Sequence, residues 1–95
     1  MPRPSEHNPL PTLDLHGLRK EAAVRRLARE LHACRVRGAA GLLVVCGRGW
    51  GSPGQRGVLG PAVRAWLDGP EARALGVRGV KPAHKGGAFE LRLGR

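Results

Sequence analysis

The chain has 95 residues, a length that suits one domain around one modest core. Seventeen Lys and Arg against seven Asp and Glu give a formal net charge of +10, which favours a polyanionic partner: nucleic acid first, an acidic membrane surface second. Apolar residues make up 41% but aromatics only 3%, so the core must be Leu, Val and Ala, and modules that stack several bases on exposed rings are disfavoured.

Residues 1–11 read as a disordered or extended arm, because Pro2, Pro4, Pro9 and Pro11 interrupt it, with Arg3, Glu6 and His7 between them. Residues 12–95 form the domain. Thr12 to His16 alternates and predicts a first strand, with Leu13 and Leu15 facing a core and Asp14 and His16 sharing the other face. A carboxylate beside an imidazole can orient it and favour its charged form. Gly17 lets the backbone turn sharply or approach a ligand. Asp, His and Gly are also ordinary turn and cap residues, so this stretch alone does not define a site.

From Leu18 to Arg37, Val24, Leu27, Ala28, Leu31 and Cys34 recur at helical spacing, opposite a face of Lys20, Arg25, Arg26, Arg29, Arg35 and Arg37. The spacing predicts i,i+4 pairs of Glu21 with Arg25 and Arg26 with Glu30, worth a few tenths of a kcal/mol each. Gly38 to Gly41 stops the helix. Leu42 to Cys46 is a continuous apolar run, as expected of a strand covered on both faces in a parallel βαβ unit.

Gly47-Arg48-Gly49-Trp50-Gly51-Ser52-Pro53-Gly54 follows that strand. Such a turn can offer backbone N–H groups to an anion, with Arg48 as a bidentate phosphate contact. It matches neither a P-loop nor GxGxxG. Trp50 is either a hydrophobic plug or a stacking ring. A second helix is predicted over Val58 to Asp68, with Leu59, Val63, Trp66 and Leu67 as its buried stripe. Glu71 to Gly76 reads as a connector of at most one helical turn. Val77 to Lys81 is a third strand, Ala83-His84-Lys85-Gly86-Gly87 a tight turn, and Phe89 to Leu93 a half-buried last strand.

The order is β-α-β-α-β-β, an α/β (α+β) two-layer sandwich with a mixed four-stranded sheet and two helices. Cys34 and Cys46 lie in unrelated contexts and predict buried free thiols. No apolar run approaches a membrane span and no signal-peptide core is seen, so a soluble cytoplasmic protein with no membrane partner is expected.

These segments together resemble the small MutS-related (Smr) domain, over roughly Leu10 to Leu93. The family's opening Leu-Asp-Leu-His-Gly stands at Leu13 to Gly17. Its Thr-Gly or His-Gly, Arg/Lys-Gly motif is matched by Cys46-Gly47-Arg48-Gly49, and its glycine-rich closing turn by Lys85-Gly86-Gly87-Ala88. Cys46 departs from the usual Thr or His, and His84-Lys85 stands where glycines are usual. The resemblance implies a stand-alone Smr protein with a fold like the C-terminal domain of translation initiation factor three. It also implies nucleic-acid binding, with endonuclease or nicking activity in several members.

On that resemblance Asp14 and His16 are the expected catalytic residues. The resemblance makes Gly47, Arg48 and Gly49 the backbone-binding loop, and the residues themselves add Gly17, Trp50, Gly51, His84, Lys85 and Gly87 to the expected nucleic-acid-binding set. His16 would be general base or acid, oriented by Asp14, with Arg48 and the loop amides holding the phosphate. Asp14 is the only acid in any motif, which fits a metal-free or single-metal reaction (a divalent ion such as Mg) better than a two-metal one. A zinc site from His16, Cys46 and His84 lacks ligand spacing. The partner expected is DNA or RNA, with no small-molecule cofactor, bound by a monomer or weak dimer. The competing reading is a non-catalytic module for branched DNA or structured or ribosomal RNA.

Overall fold

The computed structural model describes residues 10–47, 59–83 and 87–94. Strand β1 (Thr12–Asp14) leads to helix α1 (Lys20–Arg37), then β2 (Gly41–Val45), α2 (Leu59–Leu67), α3 (Pro70–Ala74), β3 (Val77–Ala83) and β4 (Ala88–Leu93). The sheet order is β1-β2-β4-β3, with β1 parallel to β2 and the other two pairings antiparallel. The mixed α+β sheet is as expected, and the connector after α2 supplies a short third helix. Pro70 opens that helix, where its missing N–H costs nothing.

Leu10 and Pro11 belong with the sheet rather than with an arm. The Pro11 carbonyl accepts from the Leu43 N–H at 2.8 Å, and Leu10 packs over Gly41. Pairing therefore starts before Thr12, since a proline carbonyl can still accept although its nitrogen cannot donate. The remainder of the arm, residues 1–9, lies outside the described residues.

One face of the sheet carries the core. Leu13, Leu15, Leu42, Val44, Cys46, Phe89 and Leu91 pack in one cluster with Ala23, Leu27, Leu31 and Cys34 of α1, Val63 and Leu67 of α2, and Ala72 of α3. Burying a leucine such as Leu27 completely stabilises the fold by about 1.5–3 kcal/mol. The buried stripe of α1 holds Ala23, while Val24 and Ala28 are only half-buried, so the helix is rotated slightly from the expected stripe. Leu59 and Trp66 also pack only partly on the core.

The opposite face stays open, which corrects the two-sided reading of β2. Leu43 and Val45 are half-buried, and their neighbours Thr12, Asp14 and Glu90 are exposed. Antiparallel pairing with β4 explains this, because no crossover helix is needed on that side. β3 runs two residues further than expected, to Ala83, with an irregular register between Val77 and Gly79. Both cysteines are free and buried. Among the described residues no helix is long and apolar enough to cross a membrane.

Candidate nucleic-acid interface

β1 ends at Asp14, and the chain turns at once. Leu15 still donates to the Val45 carbonyl at 2.7 Å, then Leu18 N–H closes a turn onto the Leu15 carbonyl at 3.1 Å. Gly17 occupies the third position of that turn with φ +81°, the left-handed conformation a type II turn requires there. His16 thus sits in a turn rather than at the end of a strand, yet it keeps the face of Asp14.

A single carboxylate oxygen fixes it. Asp14 Oδ1 accepts the His16 backbone N–H at 3.0 Å and lies 2.7 Å from His16 Nδ1. These two hydrogen bonds hold the Asp14 carboxyl below its ordinary 3.8, the ring contact being the larger cause. An ionised carboxylate only accepts, so the proton lies on Nδ1, and a neutral ring presents Nε2 as its free lone pair. The His16 side chain is 70% exposed and that of Asp14 54%, so Nε2 faces an open surface rather than the floor of a pocket.

The second and third motifs meet the first at Gly47. Its φ is +79°, and a β-carbon there would stand 3.2 Å from the His16 Cβ. Only glycine lets that backbone pass so close to the histidine. The Gly87 carbonyl in turn accepts both the Cys46 N–H at 2.9 Å and the Gly47 N–H at 3.0 Å. His16, Gly47 and Gly87, far apart in the chain, are thereby joined. The Gly47 amide, expected to face a phosphate, is already donated to Gly87, because the strand pairing of β2 with β4 continues one step past its end. Gly87 is buried, and its carbonyl ties the two loops together. Arg48, Gly49, Trp50, Gly51, His84 and Lys85 lie outside the described residues.

Cys46 is buried in the core cluster, and its thiol is pushed up to about 11, first by burial and then by the charge of Asp14. It turns inward while His16 turns outward, so the two do not make a zinc pair. Among the described residues no three of His, Cys, Asp and Glu gather as metal ligands, and Asp14 stands as a lone carboxylate whose Oδ1 is doubly engaged.

One nearby residue escaped sequence reasoning. The charge of Arg26 on α1 adds a small lowering at the Asp14 carboxyl, behind the hydrogen bonds from His16. Only the packing of α1 along the sheet reveals this, since twelve positions separate the two in the chain.

The α+β fold of this topology matches known structures. The Smr domain of Thermus thermophilus MutS2 aligns with a TM-score of 0.71 at 23% identity, covering 90% of this chain and 100% of that one, a likeness of fold. The human small-MutS related domain aligns at 30% identity and a TM-score of 0.59, covering 86% of this chain and 99% of that one. The B3BP Smr domain aligns at 28% identity and 0.62, covering 96% and 85%. The family model described as Smr domain matches residues 13–90, and the chain belongs to that family. No curated protein sequence matches the chain.

Proposed function

We propose that this Smr domain binds nucleic acid and cleaves a phosphodiester bond, with His16 as the proton-transfer group and Asp14 as the residue that positions it. The observation that supports this reading is the 2.7 Å contact between Nδ1 and the carboxylate, which leaves Nε2 pointing to solvent. His16 Nε2 takes the proton of the attacking water or ribose hydroxyl as its oxygen bonds phosphorus. The bond to the leaving oxygen breaks, and the imidazolium, steadied by Asp14, can return that proton to the leaving oxygen. The cations assigned to the phosphate are close in sequence to the joined glycines: Arg48 directly follows Gly47, and His84 and Lys85 precede Gly87 by three and two positions.

The experiment is cleavage of supercoiled plasmid, branched duplex and structured RNA, with and without EDTA. His16→Ala is expected to lower the rate by about 10²–10⁴-fold while leaving most binding intact. Asp14→Asn is expected to fall in the same direction, because an amide can also donate to Nδ1 and so admit the wrong tautomer. Equal residual cutting by all three preparations marks contamination and ends the catalytic reading. The open setting of the pair favours the second reading in that case, a binding module without chemistry, since neither group is shielded from water.

A further inference from the structure

The six cations of α1 have different fates. Arg35 Nη1 donates to the Ala74 carbonyl at 2.8 Å, and Arg37 Nη2 reaches Glu30 Oε2 at 3.4 Å and Cys34 Sγ at 3.5 Å. Arg25, Arg26 and Arg29 make no hydrogen bond or ion pair among the described residues. With Ala22 and Glu30 they line one open groove. Their positions run i, i+3, i+4, i+7, i+8, a single face of the helix. The expected Arg26–Glu30 pair would have neutralised this groove, but Glu30 pairs with Arg37 instead. The expected Glu21–Arg25 pair is likewise absent among the described residues. Three guanidinium groups are therefore left facing solvent on one strip.

We propose that the Arg25–Arg26–Arg29 face of α1 is a phosphate track that carries the nucleic-acid backbone up to the Asp14–His16 pair. The inference rests on the nucleic-acid reading above and assigns to it a second surface, outside the family motifs. Arginine forks suit phosphate oxygens, and neighbours at i,i+3 and i,i+4 stand about 5–6 Å apart at Cβ, so one helix face can hold successive phosphates. Ala22, with only a methyl group, leaves room in the groove for a sugar-phosphate chain. The track lies on the element that leaves the site directly, since α1 begins at Lys20, four positions after His16, and the charge of Arg26 adds the smallest of the lowering effects at Asp14. An acidic membrane surface fits less well. A helix lying in a membrane needs a free apolar face, and the apolar stripe of α1, Ala23, Leu27, Leu31 and Cys34, is buried in the core, which leaves Val36 as its single exposed large apolar residue.

The test measures binding to a labelled random-sequence duplex in the His16→Ala background across a salt series. Removing Arg25, Arg26 and Arg29 together as glutamines is expected to flatten the log–log salt slope by roughly 0.9 for each phosphate of B-DNA that is no longer neutralised. Affinity should fall about tenfold or more at 0.1 M salt, with an unchanged melting temperature. Arg73→Gln, an equal charge loss per residue on α3 beside the opposite sheet edge, is expected to leave the slope alone. A triple variant with the parental slope, or one that loses binding to phosphatidylserine vesicles but keeps the duplex, overturns the track alone. A parent that binds no duplex or RNA overturns the nucleic-acid reading and the track with it.

Discussion

At the β3 edge of the sheet, arginine closes the structure. Arg78 Nη1 donates to the Arg73 carbonyl at 2.9 Å, Arg92 Nη2 to the Arg78 carbonyl at 3.4 Å, and Arg35 reaches Ala74 from α1. At the β1 edge stands the exposed Asp14–His16 pair, four positions before α1 begins, and Arg25, Arg26 and Arg29 of that helix meet no partner among the described residues. The helix itself divides the two roles. Arg35 lies nine positions beyond Arg26, which at about 100° per residue is half a turn round to the opposite flank. Identical side chains thus serve as stitches to main-chain carbonyls on one side and as free charge on the other. Net charge cannot distinguish them, because both kinds count equally toward +10.

The largest effect is expected at Gly47. Gly47→Ala should cost about 1–2 kcal/mol for the left-handed backbone, and it also presses on His16. Cleavage should fall with stability, whereas Gly17→Ala meets nothing within 4 Å and carries the backbone cost alone. Denaturant melts alongside cleavage rates separate the two effects. If Gly47→Ala keeps the parental rate, the junction of the motifs is not what sets His16.

Next in size is a swap of readouts between the edges. Arg78→Ala should lower stability by about 1 kcal/mol, seen as a drop in melting temperature of about 4–8 °C, because it removes the guanidinium hydrogen bonds to the Arg73 and Val77 carbonyls. Arg25→Ala should stay within about 0.5 kcal/mol, since it removes no bond, and register instead in the salt dependence of binding. Matching melting temperatures for the two variants would erase the distinction between the edges.

The smallest effect is in pH. Asp14 is lowered in the folded state, so its contact contributes fully above its ordinary 3.8 and is lost as pH falls through the depressed folded value. Cys46 has the opposite sign: its raised value favours the fold fully below 9.0, and that contribution is lost as pH climbs toward about 11. Urea midpoints against pH should show both limbs, with Asp14→Asn flattening the acid one and Cys46→Val the alkaline one.

Periodicity and turn chemistry are enough to read the elements, their order and the mixed sheet from the chain, because alternation at Leu13 and Leu15 and the 3.6-residue stripe around Leu27 and Leu31 are local properties. The pairing of Asp14 with His16 is legible for the same reason, the two being two residues apart on one face. Two features are not legible. The Gly47 amide is donated to a carbonyl forty positions away, and Glu30 turns from Arg26 to Arg37, choices made by strand register and helix packing. Local spacing decides which face a side chain takes. Only long-range packing decides which of many equal charges remains unpartnered, because the competing partners come from distant parts of the chain.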